Sequence, residues 1–361
     1  MMPRAILSCA SRSLICMLVV TLGCSDSAQE ATRSKVEPQE KMAVGEAPAA
    51  VESIPAEVKP KEKGPSVLLA LKFTPQDSTT YTVVVEADRS VAWEGPLPEK
   101  PTAFKGGHTG NRIEMTFAQR VQSVDDKGNA IVEIKIGALK YLAKVRDDVV
   151  LDFDSSREKD KDNLLAKLIG QSYTIQTSAG GQVLQVVDAN QVRAAVEGSS
   201  TAHKTASALL LPAAIKQRHT IPALPPAEKN RLSQGDNWSS IVTFSFDMMG
   251  SKSYQKTYTL KEIKQADNRQ FAIVDMNAVP SSEVAQEPRQ EQTTNPLEKM
   301  FDTTETYTGQ LRLDLTAGKI EKCLEKLHVE WVIVDPQAKG DKEPAALRMT
   351  ATRFYSIEKI D

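Results

Sequence analysis

Gln310-Leu311-Arg312-Leu313-Asp314-Leu315 alternates leucine with polar side chains at every second position. Successive side chains of a strand point to opposite faces, so this hexamer reads as a β-strand with one buried and one solvated face. Arg112-Ile113-Glu114-Met115-Thr116-Phe117 carries the same pattern. So do residues 81–86, 130–136, 241–246, 271–278, 328–334 and 347–357, which are rich in β-branched and aromatic types. Half-buried strands of this kind belong to antiparallel sheets. Between 121–124 and the strand at Ala130 sits Asp125-Asp126-Lys127-Gly128-Asn129, a hairpin turn with Gly128 available for positive φ. Ala179-Gly180-Gly181 and Thr316-Ala317-Gly318-Lys319 serve in the same way.

Working outward, the strands fall into two series with the same order: strand, strand, tight turn, strand, excursion, strand. The first runs from Tyr81 through 113–124, 130–136 and 149–154; the second runs from Trp238 through 256–263, a turn at Asp267-Asn268-Arg269, 271–278 and 309–315. This is a weak internal repeat. Between the series, residues 188–196 and 201–211 favour helix, the second stopped by Pro212, and Ile221-Pro222-Ala223-Leu224-Pro225-Pro226 is an extended connector. Residues 163–168 read as a further short helix, and 280–296 as a mobile surface loop. The expected fold is mainly β with minor α: antiparallel sheets in two similar β-rich halves, as a curved half-barrel or sandwich, joined by a helical connector. The divisions are 1–23, 24–65, 66–198 (first half), 199–232 (connector) and 233–361 (second half).

The first two divisions are not fold. Arg4 and Arg12 lie in a start without acids, the run 14–20 is apolar, and Thr21-Leu22-Gly23-Cys24 closes it. That is the layout of a secretory signal, with an apolar part well short of the ~20 residues that cross a bilayer. Residues 25–65 are rich in Ala, Glu, Lys, Pro, Ser and Gln and hold no aromatic residue. Such composition cannot offset chain entropy by burial and reads as a tether. Of the four cysteines, Cys9 and Cys16 lie in the leader, which leaves Cys24 and Cys323. About 300 residues follow the tether, and a net charge of −2 argues against a nucleic-acid partner held by phosphate neutralisation.

The end of the leader resembles the lipobox of bacterial lipoproteins at Gly23 and Cys24, although Leu22 is bulkier than usual and Thr21 replaces the usual Leu. The resemblance implies cleavage between Gly23 and Cys24 and a diacylglyceryl thioether on Cys24. Each buried methylene adds about 0.8 kcal/mol, so two or three acyl chains make a stable membrane anchor. Ser25 after the cysteine favours the outer membrane under the sorting rule of some Gram-negative bacteria. A second resemblance rests on Leu224-Pro225-Pro226, Gln234-Gly235-Asp236-Asn237-Trp238, Ser123-Val124-Asp125-Asp126-Lys127-Gly128-Asn129-Ala130 and Asp154-Ser155. These segments look like those of an uncharacterised family of β-rich bacterial lipoproteins, across roughly residues 68 to 335. They are turn chemistry, and they imply architecture and location without an activity.

Local motifs for chemistry are sparse. His108, His203, His219 and His328 are widely separated, and neither a His-Glu-x-x-His pair nor a Cys-x-x-Cys is present. Gly106-Gly107-His108-Thr109-Gly110 lacks the ending of a phosphate loop and reads as a flexible connection. Asp152-Phe153-Asp154-Ser155-Ser156-Arg157-Glu158-Lys159-Asp160-Lys161-Asp162-Asn163 spaces its oxygens as a calcium loop does. Arg157 stands where the turn needs Gly, however, and Asn163 where a bidentate Glu should close the site, so a solvated loop is the better reading. Cys323 reads as a small core residue, and Trp93, beside a Pro-rich loop, as the first residue to inspect for contact with a partner. No metal, cofactor or catalytic residue is assigned.

Three functions are compatible with this reading. The first is a membrane-anchored, exported, non-catalytic envelope module that binds a protein or polymer. The second is a carrier or sensor of an apolar, lipid-like ligand, and the third a hydrolase with carboxylates scattered over strands.

Overall fold

In the computed structural model, residues 64–95, 106–246, 249–283, 300–334 and 345–360 are described. The leader and the tether to residue 63, with Gly23 and Cys24, lie outside them, as does most of the 280–296 segment. The strands are β1 (Val67–Leu68), β2 (Ser78–Glu94), β3 (Gly107–Val124), β4 (Ala130–Val145), β5 (Asp148–Asp154), β6 (Ser172–Thr177), β7 (Val183–Asp188), β8 (Arg231–Leu232), β9 (Asn237–Ser245), β10 (Ser251–Ala266), β11 (Arg269–Ser281), β12 (Asp302–Asp314), β13 (Lys319–Val334) and β14 (Ala346–Lys359). The α-helices are α1 (Asn190–Ala195), α2 (Thr201–Leu209) and α3 (Pro212–His219).

The fold is mainly β and antiparallel, with one 12-stranded sheet in the order β7-β6-β4-β3-β2-β14-β13-β12-β11-β10-β9 and β5 added on β4. Both strand series read from the sequence lie in this single sheet, which is open and not closed into a barrel. Its centre is the β2–β14 pairing, Val85 opposite Tyr355, which joins N-terminal to C-terminal strands. The alternation that marked the leucine hexamer has its expected consequence: Leu311 and Leu313 are fully buried while Gln310 and Arg312 are exposed.

One face of the sheet carries the cores. A large cluster joins Val83, Met115, Phe117, Leu311 and Cys323 of the strands to Val192, Leu209, Leu210, Ile215 and Leu224 of the helical connector. A second cluster, of Phe246, Tyr254, Leu327, Val329, Trp331, Leu347 and Met349, lies further along the same face. That part of the sheet curls upon itself. Phe246 meets Trp331 edge to face at 5.3 Å between ring centroids, although β10, β11 and β12 lie between their strands. Arg353 on β14 donates to the Ser245 carbonyl on β9 at 2.9 Å.

Several local expectations change. Pro212 ends α2 as expected, but it also occupies the first turn of α3, where a missing N–H costs nothing. Residues 163–168 form a 3₁₀ turn, Leu164–Leu168, with Asn163 accepting from the Leu165 N–H. The expected flexible connection 106–110 is a strand from Gly107 onward, paired with β2. Gly110 is required there: a Cβ would stand 2.4 Å from the Ala87 carbonyl oxygen.

Candidate functional site

The connections sort by end of the sheet. At one end the strands are joined through 125–129, 178–182, 267–268 and 315–318. Gly128 takes φ +79°, and Asp267 and Asn268 take +50° and +58°, the twist that tight hairpin turns demand. At the other end the strands leave into 95–106, 146–147, 246–250, 282–301 and 335–345.

The chain enters the fold at the tight-turn end. β1 pairs with β8, the Leu71 N–H donates to Ala179, the Lys72 N–H to Gly318, and the Lys72 ammonium to the Leu315 carbonyl at 2.7 Å. The opposite end shows exposed aliphatic side chains at Val145, Val149, Val150, Val279, Met300 and Val334. Trp93 lies there too, but it is half-buried, opposite Leu347 and against the second cluster.

Within this far end the sheet splits. Pairing of β11 with β12 stops at Met276 opposite Gly309. Beyond it, β11 stays paired with β10 as far as Ser281, and β12 stays paired with β13 back to Asp302. Side chains bridge the split from beneath. Lys256 of β10 reaches Glu325 of β13 at 2.6 Å, and Lys252 pairs with Glu305 of β12. The Lys256 ammonium also sits 5.5 Å from the Tyr307 ring centroid. Gly309, opposite Glu325 in the register, helps to make this possible: a Cβ there would meet the Met276 sulfur at 2.8 Å. Burial and then the Glu325 carboxylate push the hydroxyls of Tyr258 and Tyr307 above their ordinary pKa. The same two causes raise the thiol of fully buried Cys323, which is held protonated as a core residue.

The other sequence candidates are dispersed. His108 lies exposed near Asp88, His203 bonds Ser200, and His328 bonds Thr352. His219 is buried, its Nε2 2.5 Å from the Tyr173 hydroxyl, beside fully buried Arg218. Among the described residues no three His, Cys, Asp or Glu side chains form a group able to hold a metal ion. In the calcium-like segment, Arg157 fills the centre: it binds Asp152 at 2.8 Å and Asp160 at 2.5 Å. It also donates to the Asp152 carbonyl, so the segment closes part of the outer edge of β5.

The cavity lined by Phe73, Thr79, Tyr81, His219, Ile221 and Lys319 holds about 40 Å³. That is room for a few waters and far too small for an acyl chain. The sequence did not reveal the split. Its signal lies in the register, where β11 and β12 overlap for only part of their lengths, and register is not legible from a strand alone.

These features define a class: an open antiparallel sheet protein with one helix-covered core, one curled core and a split far end. Residues 127–320, more than half of the chain, match a family of unknown function (DUF6263), and the chain belongs to that family. No curated protein matches it. Among solved structures, a study of lipid–protein interactions in lipovitellin is similar at 12% identity and TM-score 0.36, over 80% of this chain and 26% of that one. The chain thus spans about a quarter of the length of that protein. DynF, from the dynemicin biosynthesis pathway of Micromonospora chersina, is similar at 8% identity and TM-score 0.18, over 86% and 93% of the two chains. Scores this low assign neither fold nor function.

Proposed function

We propose that the protein is exported, cut before Cys24 and anchored by lipid on that cysteine, and that it acts as a non-catalytic module binding a partner in the cell envelope. The observation that carries this reading is the opposition of the two ends of the sheet. The chain from the tether is fastened at the tight-turn end through β1, Leu71 and Lys72. Six exposed aliphatic side chains and the split lie at the other end, against Leu68 and Ile360 at the tight-turn end, and a tether would hold that other end away from the bilayer. Outer-membrane placement follows from Ser25 within the same proposal.

Mass analysis of the protein extracted from membranes tests the anchor. The expected product begins at Cys24 and carries diacylglycerol, and an unmodified Cys24 thiol refutes it. Crosslinking in intact envelopes tests the binding role: partners should crosslink through positions at the far end, such as Val149 or Val279, and not through the 125–129 turn. Crosslinks confined to the tight-turn end would overturn it.

A further inference from the structure

Going beyond the binding reading on which it rests, we propose that the split between β11 and β12 is a strand-addition slot, which takes an extended, uncharged segment of another protein against the upper edge of β12.

Three observations carry it. The first is the unmatched edge. Residues 302–308 of β12 pair with β13 on one side and, among the described residues, with no strand on the other. Unpaired strand edges are templates for a further strand, and proteins ordinarily blunt them. Here the blunting is one-sided. On β11 the Ala278 N–H is taken by the Asn277 side chain at 2.8 Å, and residue 280 is proline, which has no N–H. Among the described residues no such device occupies 302–308, so an incoming strand pairs with β12.

The second observation is a pair of unpartnered polar atoms, one on β12 and one on its neighbour β13. Trp331, opposite Thr303, is 2% exposed, and its indole N–H has no acceptor. Oε2 of Glu305 is buried without a donor, although Oε1 is paired with Lys252. A buried polar group without a partner costs about 1–3 kcal/mol, so such atoms mark a place where a partner belongs. Glu305 Oε2, on β12 itself, calls for a donor such as a hydroxyl or amide side chain of the incoming strand.

Charge is the third. Lys252–Glu305 and Lys256–Glu325 are already paired within the chain. A charged side chain entering from the partner would be left unbalanced, which selects Thr, Ser, Val or Ile on the incoming strand. On the outer face it would run beside Thr304, Thr306 and Thr308, all exposed, and beside Val279, 51% exposed.

The test uses a displayed library of short peptides built from Thr, Ser, Val and Ile, selected on the intact protein. Bound peptides should slow amide exchange at residues 302–308. Thr306→Lys and Val279→Lys, both at exposed positions, should weaken binding by about tenfold or more, while Asp126→Lys, in the exposed 125–129 turn, leaves it unchanged. Failure to select any binder, binding without protection at 302–308, or indifference to both lip lysines would overturn the slot. Binding displaced to other far-end residues would sink the slot and leave the binding reading standing, whereas a lipid-free Cys24 would sink the anchor and leave the slot untouched.

Discussion

The Lys256 ammonium and the Glu325 carboxylate meet at 2.6 Å inside the curl, with their side chains only 6% and 10% exposed. They come from β10 and β13, so the pair closes beneath the split and ties together strands that are not neighbours. Removing one member leaves the other as a buried, uncompensated charge. Lys256→Met should therefore destabilise the protein by about 3–5 kcal/mol, read by urea unfolding. The double variant Lys256→Met with Glu325→Leu should recover most of that loss, because the desolvation of both charges disappears. An equal loss in both variants would show that packing, and not the charge, is at stake.

His219 predicts a pH dependence. Burial first, and then the neighbouring Arg218 guanidinium, hold its pKa well below 6.5. The unfolded chain takes up this proton near pH 6.5 while the folded chain still refuses it. Below that pH the unfolded state binds more protons, so stability falls as pH drops, by up to about 1.4 kcal/mol per unit until the folded imidazole titrates. His219→Gln keeps a polar group toward the Tyr173 hydroxyl but has no proton to gain. Comparing unfolding of the two proteins at pH 7 and pH 5.5 should show a smaller loss in the variant.

How much of this was legible can be read from particular residues. The alternation at Leu311 and Leu313 gave both the strand and its buried face, because period two is a local property. The turns at Gly128 and at Asp267-Asn268 were equally local. The long reach of β2 to Glu94 was not legible, since Arg89, Ser90 and Glu94 carry weak strand patterning and are held by pairing with β14. α3 was hidden behind Pro212, which reads as a stop signal yet is a good first residue for a helix. The site was the least visible part. Lys256, Glu305 and Glu325 come from three different strands, and only the curl and the register bring them beneath one split.

Gly110 tests the strand that the sequence disguised as a loop. Gly110 of β3 pairs with Asp88 of β2, and a methyl group would collide with the Ala87 carbonyl oxygen and the Asp88 backbone. Gly110→Ala should cost about 1–3 kcal/mol through overpacking against backbone that cannot yield. Gly128→Asn, in the open 125–129 turn where nothing lies within 4 Å of a Cβ, should cost less, because asparagine tolerates the left-handed conformation. Thermal unfolding of the two variants side by side decides the order, and a milder effect at Gly110 would contradict the strand pairing.

Arg157 separates a metal loop from a self-sufficient turn. In Asp152–Asn163 the guanidinium already takes the oxygens of Asp152 and Asp160, and burial places the Asp160 side chain at 10% exposure. Asp160 also accepts from the Asp154 N–H, and that bond and the arginine hold its carboxyl below the usual range. Millimolar calcium should therefore leave the melting temperature unchanged. Arg157→Ala should lower the melting temperature, because the Asp160 carboxylate loses its main charged donor. Restoring that loss by adding calcium to the variant would mean that the oxygens form a cation site which Arg157 merely occupies. No restoration would fix Arg157 as the structural plug of the β5 edge, whose free Asp152 carbonyl it covers.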